Sequence, residues 1–140
     1  MAITAQFAAI PGVEVSGITQ GNTFRDGGGL TFTLVCAGPS TASGAGVGKR
    51  INRVMIHAVA TTTAGMVRFF INDLSSTKRL ILEKSIPAIT PSAINMAFRT
   101  EVPELVGLIL PGTVGGTASS LYASSNNTES FNIICESGTL

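Results

Sequence analysis

The stretch T-L-V-C-A-G-P-S-T-A-S-G-A-G-V-G-K-R, residues 33–50, sets a glycine-rich segment and a lysine behind an apolar run. That is the arrangement of a phosphate cradle. Loop and helix N–H groups hold the phosphates, the lysine reaches the terminal ones, and a subsequent Ser or Thr hydroxyl holds magnesium. The pattern requires Gly, four free residues, then Gly-Lys-Ser/Thr. Here Ser43 stands at the first glycine position and Arg50 replaces the hydroxyl residue. The residues after Arg50, I-N-R-V-M-I-H-A-V-A-T-T-T, alternate and are rich in β-branched types, so the lysine opens a strand rather than a helix. The segment reads as a loop between strands.

The inventory for catalysis is thin: one His, two Asp, six Glu and two Cys. His57 falls on the outward side of a strand beside Arg53 and Met55, with no sequence partner to orient it as a base. Asp73 and Glu83 flank one hairpin and could form a carboxylate pair for glycoside hydrolysis. Solvated turn charges explain them equally well. Neither clustered His and Cys at metal-ligand spacing nor a Gly-x-Ser-x-Gly elbow occurs. Cys36 and Cys135 end apolar runs and read as small buried hydrophobes with free thiols. A disulfide is open to them but unsupported, since nothing points to secretion. The sequon Asn126-Asn127-Thr128 carries little weight for the same reason. The expectation is a chain without enzymatic activity, cofactor or metal.

At 140 residues the chain is long enough for one domain with a real core. Its net charge of +1 steers it to neither nucleic acid nor an anionic membrane. Only 12% of residues are charged, about half the usual share. A surface this weakly charged points to contact with other protein, hence an oligomer or assembly subunit. No apolar run is long enough for a membrane helix. The N-terminus lacks the basic start and apolar block of a signal peptide. A sugar-binding platform would want exposed aromatics, but there is no Trp and only Tyr122 among tyrosines. Arg50, Arg53, Arg68, Arg79 and Arg99 are scattered, as partners for carboxylates within or between subunits would be.

Along the chain, residues 1–29 read as an extended N-terminal arm punctuated by glycines, able to add an edge strand. Its apolar residues, among them Ile3, Phe7, Ile10 and Val13, are candidates for docking. From residue 30 to 140 the period is two. Leu30, Phe32, Leu34 and Cys36 share one face. Val54, Ile56, Ala58 and Ala60 share the next, with Arg53, Met55 and His57 opposite. T-T-T-A-G reads as a hairpin turn in which Gly65 takes positive φ. Val67, Phe69 and Ile71 return on the core side, with Arg68 opposite. Leu80, Leu82 and Ile86 form another strand, and two prolines mark a corner at 87–91. Residues 121–123 and 131–135 read as a last paired hairpin. No segment shows helical spacing. The reading is an all-β antiparallel sandwich or jelly roll. Arg53, Met55, His57 and Arg68, with the arm residues, are the candidate interface.

The stretch K-R-I-N-R-V-M-I-H-A-V-A-T-T-T-A-G-M-V-R-F-F-I-N-D resembles a segment of small virion structural proteins of tailed bacteriophages and prophages. Those carry an Arg-Ile start, a Thr-Thr-Thr-Ala-Gly hairpin and an Arg-Phe-Ile strand ending in Asp. The resemblance continues through E-K-S-I-P-A-I-T-P-S-A-I-N-M-A-F-R-T-E-V, L-I-L-P-G-T and S-L-Y-A-S-S-N-N-T-E-S-F-N-I-I-C-E-S-G. It covers residues 49–138, leaving out the arm and the loop 37–48. The tract V-G-G-T-A-S departs from the family, which runs straight into its last hairpin. The resemblance implies a virion component assembled in the host cytoplasm, without catalytic residues. Head decoration, or cement, suits a small β domain best, with the major capsid protein as partner and a homotrimer as the assembled form. A tail, neck, baseplate or head-fibre role is the alternative in the same class, and a carbohydrate-binding module for host adsorption the alternative from another.

Overall fold

The computed structural model describes residues 10–26, 32–38, 48–72, 77–111 and 119–139. Among them nine strands run in the order β1 (Ile10–Ile18), β2 (Thr33–Cys36), β3 (Lys49–Ala58), β4 (Gly65–Asn72), β5 (Lys78–Ile86), β6 (Arg99–Glu101), β7 (Ile109–Leu110), β8 (Leu121–Ser125) and β9 (Phe131–Thr139). A 3-10 turn, Pro103–Leu105, separates β6 from β7. The strands form two antiparallel sheets. Sheet A has the order β1-β9-β3-β6, with β7 also on β3; sheet B has the order β2-β8-β4-β5. The all-β sandwich expected from the period of two is the fold.

The core lies between the sheets. Ile51, Val54, Ile56 and Ala58 of β3 meet Val67 and Phe69 of β4, with Phe131, Ile133 and Cys135 of β9 beside them. Phe69 and Phe131 are at most 1% exposed, and each such ring contributes about 2–3 kcal/mol on burial. Ala60, assigned to the core by alternation, lies past the end of β3 and is exposed. In β2 the parity breaks. Leu34 is 44% exposed while Val35 and Cys36 are both buried, because the register against β8 shifts between Leu34 and Cys36. One inserted residue moves every later side chain to the other face. Phe32 faces away from the core and meets Phe70 edge-on, with ring centroids 5.0 Å apart. Leu30 lies outside the described residues.

Two expected hairpins are instead corners between sheets. β3 belongs to sheet A and β4 to sheet B, so T-T-T-A-G carries the chain across the sandwich. β8 and β9 are divided in the same way. The two corners hold each other. Thr63 N–H donates to Glu129 Oε1 at 2.7 Å, Asn127 Nδ2 donates to Thr63 Oγ1 at 2.9 Å, and Met66 N–H donates to Asn126 Oδ1 at 2.7 Å. Gly65 does not take positive φ. Among the described glycines only Gly107 does, at 88°. A Cβ at Gly65 would press on Asn126 Oδ1 and Asn127 Nδ2, so both amides would have to shift to admit one.

The segment from 10 to 18, read as part of an arm, is a full edge strand. Every residue of β1 pairs with β9 of the same chain, from Ile10 opposite Thr139 to Ile18 opposite Phe131. Ile18 is 1% exposed and belongs to the core. Ile3 and Phe7 lie outside the described residues.

Candidate assembly surface

Alternation along β9 sends Phe131, Ile133 and Cys135 inward, so Asn132, Ile134 and Glu136 point out of the sandwich. Register then builds rows across the outer face of sheet A. Val15, Ile134, Met55 and Glu101 stand in one row. Val13, Glu136 and Arg53 form the row on one side of it, and Gly17, Asn132, His57 and Arg99 the row on the other. The result is an apolar band with charged flanks. Val13 and Val15 are each 63% exposed. Met55 lies low in the band, with its thioether sulfur accepting from Arg99 Nε at 3.0 Å.

Arg53 donates through Nε to Glu101 Oε1 at 2.9 Å and approaches Glu136 at 3.7 Å. Its side chain is 38% exposed, and those of the two carboxylates 56% and 43%. Water and salt screen exposed pairs of this kind, and ordering two long side chains offsets most of their attraction. The network fixes which charges the face presents and adds little to folding.

The face continues into residues 87–98, which lead directly into β6. This segment is irregular because Pro87 and Pro91 remove ladder donors. It is nevertheless anchored at both base and tip. Thr62 and Ile89 exchange backbone hydrogen bonds at 2.9 and 3.2 Å, and Thr62 Oγ1 donates to the Pro87 carbonyl at 2.7 Å. At the tip Ser92 Oγ accepts from the N–H groups of Ile94 and Asn95, while Ser92 N–H donates to the Asn95 carbonyl. On this bonded turn Ile94 is 92% exposed and Met96 86%. Covering each would release about 1.5–3 kcal/mol. A groove of about 660 Å³ runs along the turn between Ile89, Ile94, Met96 and Arg99. A hollow of about 260 Å³ beside it is lined by Met55, His57, Arg99 and Ile134. Arg99 borders both.

Of the residues singled out in the sequence, Val13, Arg53, Met55 and His57 share this face. Ile10 opens β1 at the edge of the same sheet. Arg68 does not join them. It lies on the outer side of sheet B, 4% exposed, with Nε donating to Glu83 Oε1 at 2.8 Å and Nη1 to the Asn22 carbonyl at 3.4 Å. Sequence reasoning counts Val15 among the arm's apolar residues and Arg99 among partners for carboxylates, and it misses Ile134, Ile94 and Met96. Two bulky apolar residues in a Pro- and Ser-rich segment, with no period to bury them, are the signal that could have found the last two.

The other candidate chemistries resolve into structure. Lys49 Nζ donates to Glu14 Oε1 and to the Ala37 carbonyl, each at 3.0 Å. Residues 39–47 of the glycine-rich loop, like Asp73, lie outside the described residues. Glu83 binds Arg68 and Arg25, and the two arginines hold its carboxyl below the usual range. The Tyr122 ring carries the Lys78 ammonium 4.9 Å from its centroid. Among the described residues no three His, Cys, Asp or Glu side chains converge as a metal site. No protein-family model, curated protein or solved structure matches the chain.

Proposed function

We propose that the chain is a bacteriophage head-decoration subunit, a homotrimer that binds the major capsid protein and stabilises the shell. The observation that carries this assignment is the open outer face of sheet A with Ile94 and Met96 raised beside it. A bonded turn has no local reason to display two large apolar side chains. A subunit that lives among copies of itself and a host lattice does, since both are covered on assembly. The low charge content has the same cause: a surface buried in repeated contacts cannot carry many unpaired charges. Small β domains of this kind reinforce a shell by bridging neighbouring capsid subunits against the pressure of packed DNA. The resemblance over residues 49–138 supports the virion assignment, and the role requires no catalytic step.

The test is made on virions of the phage that encodes the chain. Quantitative mass spectrometry is expected to find it in hundreds of copies on heads, and heads stripped of it are expected to release DNA at lower temperature. Re-addition of the purified chain restores resistance. Small multiples of three or six copies confined to necks or tails would move the chain to those parts, and unchanged heat resistance of stripped heads would end the stabilising role.

A further inference from the structure

Arg53 and Arg99 stand on the same outer face of sheet A and find unlike surroundings. Arg53 holds Glu101 and approaches Glu136. The Arg99 guanidinium has one polar contact among the described residues, Nε donating to the neutral Met55 sulfur at 3.0 Å. Its two terminal nitrogens, the prongs of the fork, meet no acceptor among them. His57 stands directly opposite Arg99 in the register of β3 and β6. Its ring likewise has no hydrogen-bond or ion-pair partner among the described residues. These two side chains, with Met55 and Ile134, line the hollow of about 260 Å³. Register sets the donors in one row of the face and the apolar pair in the next.

Covering this face takes water away from Arg99, and a charge removed from water costs a great deal unless an anion meets it. A carboxylate on a short apolar stem answers both rows. Its two oxygens accept parallel N–H bonds from the guanidinium fork, the imidazole offers a further donor, and the methylenes pack on Met55 and Ile134. One guanidinium and one imidazole beside an apolar row do not suit a nucleic-acid backbone, which needs a series of cations along its phosphates. A second copy of the chain is poorly placed to supply the carboxylate. Of the eight acidic side chains, Glu14 holds Lys49, Glu83 holds Arg25 and Arg68, and Glu104 holds Lys84. Glu101 and Glu136 share Arg53, and Glu129 accepts from Thr63. Asp26 also has a partner, and Asp73 lies outside the described residues. Every described acidic group is engaged, so a copy would have to give up a bond of its own.

We propose that the hollow between Met55, His57, Arg99 and Ile134 receives a glutamate side chain of the major capsid protein, an inference that rests on the head-decoration reading above. The groove along Ile94 and Met96 also borders Arg99, so the residues beside that glutamate cover the two exposed apolar side chains as it docks. Arg99 fixes the position of the partner through charge, and the apolar turn next to it supplies area.

The experiment titrates the purified full-length chain onto heads stripped of it. Arg99→Ala is expected to bind at least about tenfold more weakly than wild type, as loss of one member of a covered charge pair does. Arg25→Ala, which removes the same charge from the other sheet, is expected to change affinity less than about twofold. Thermal melts check that both variants fold, and sedimentation is expected to find Arg99→Ala in the same oligomeric state as wild type. Arg99→Lys, treated with a carbodiimide on the heads, couples the amine introduced at position 99 to the carboxylate that meets it. Peptide mapping is expected to find that link on a glutamate of the capsid protein. Equal binding by Arg99→Ala and wild type overturns this proposal and leaves the head-decoration reading standing. A link to a second copy of the chain, or an Arg99→Ala chain that falls to monomers, overturns it in favour of self-association. A wild-type chain that does not bind stripped heads ends the head-decoration reading and this proposal with it.

Discussion

The chain itself covers much of the outer face of sheet B, where Leu34 of β2 and Ile81 of β5 stay 44% and 40% exposed. Phe70 is 0% exposed, with Phe32 standing edge-on to it, and Lys78 caps Phe32 and Tyr122. The chain beyond β1 crosses to this side, where Asn22 and Arg25 meet Arg68 and Glu83. The outer face of sheet A presents Val13, Val15 and His57 to solvent, with Ile94 and Met96 alongside. The two faces share the same alternation, so alternation alone does not make a surface. Phe70 and Arg68, which point outward on sheet B, serve folding, while Val13, Val15 and His57 on sheet A are free to serve association.

The sharpest way to break this contrast is to truncate one large side chain on each face. Phe70→Ala is expected to cost about 3–4 kcal/mol, as a buried ring does, and Ile134→Thr less than about 1 kcal/mol in the isolated chain. Urea unfolding of the two variants checks the difference, and equal costs would erase the distinction. The arginines offer the same comparison at smaller scale. Arg68→Ala leaves a carboxylate and a carbonyl without their buried donor and is expected to lose about 2–3 kcal/mol. Arg53→Ala, on the open face, is expected to leave the melting temperature essentially unchanged, since its partners stay solvated without it. Thermal melts separate the two variants.

The corners that carry the chain between sheets can be probed at Gly65. A methyl there displaces Asn126 and Asn127 from their bonds to Met66 and Thr63, so Gly65→Ala is expected to cost about 1–2 kcal/mol, read as a lower denaturation midpoint. The smallest effect is one of pH. Arg25 and Arg68 hold the Glu83 carboxyl below its ordinary value. Its contribution is therefore complete above the unfolded carboxylate pKa of about 4.3 and fades as pH falls through the lower folded value. Melting temperature followed from about pH 6 to pH 2 is expected to drop less steeply in Glu83→Gln than in the wild type.

Much of this is legible in the residues. Alternation along 53–57 places Arg53, Met55 and His57 together, and they are together. Prolines 87 and 91 mark a corner, and the segment between them is irregular. The choice of partner strand is not legible. T-T-T-A-G suits either a hairpin or a crossing, because both need small and polar residues. The crossing is held by bonds of Thr63 and Met66 with Glu129, Asn127 and Asn126, which lie 60 to 66 residues away in sequence. The shift between Leu34 and Cys36 is invisible for a similar reason, since a bulge is a property of the pairing and not of one strand. Arg68 misleads because pointing away from the core is not the same as pointing into solvent.

Whether the open face of sheet A is an assembly surface is tested most directly by the association state of the full chain, measured by sedimentation beside an Ile94→Asp, Met96→Asp double variant. A closed oligomer is expected for the wild type, and for the variant a monomer with unchanged melting. A wild-type chain that stays monomeric at every concentration and fails to bind capsid shells would contradict that assignment.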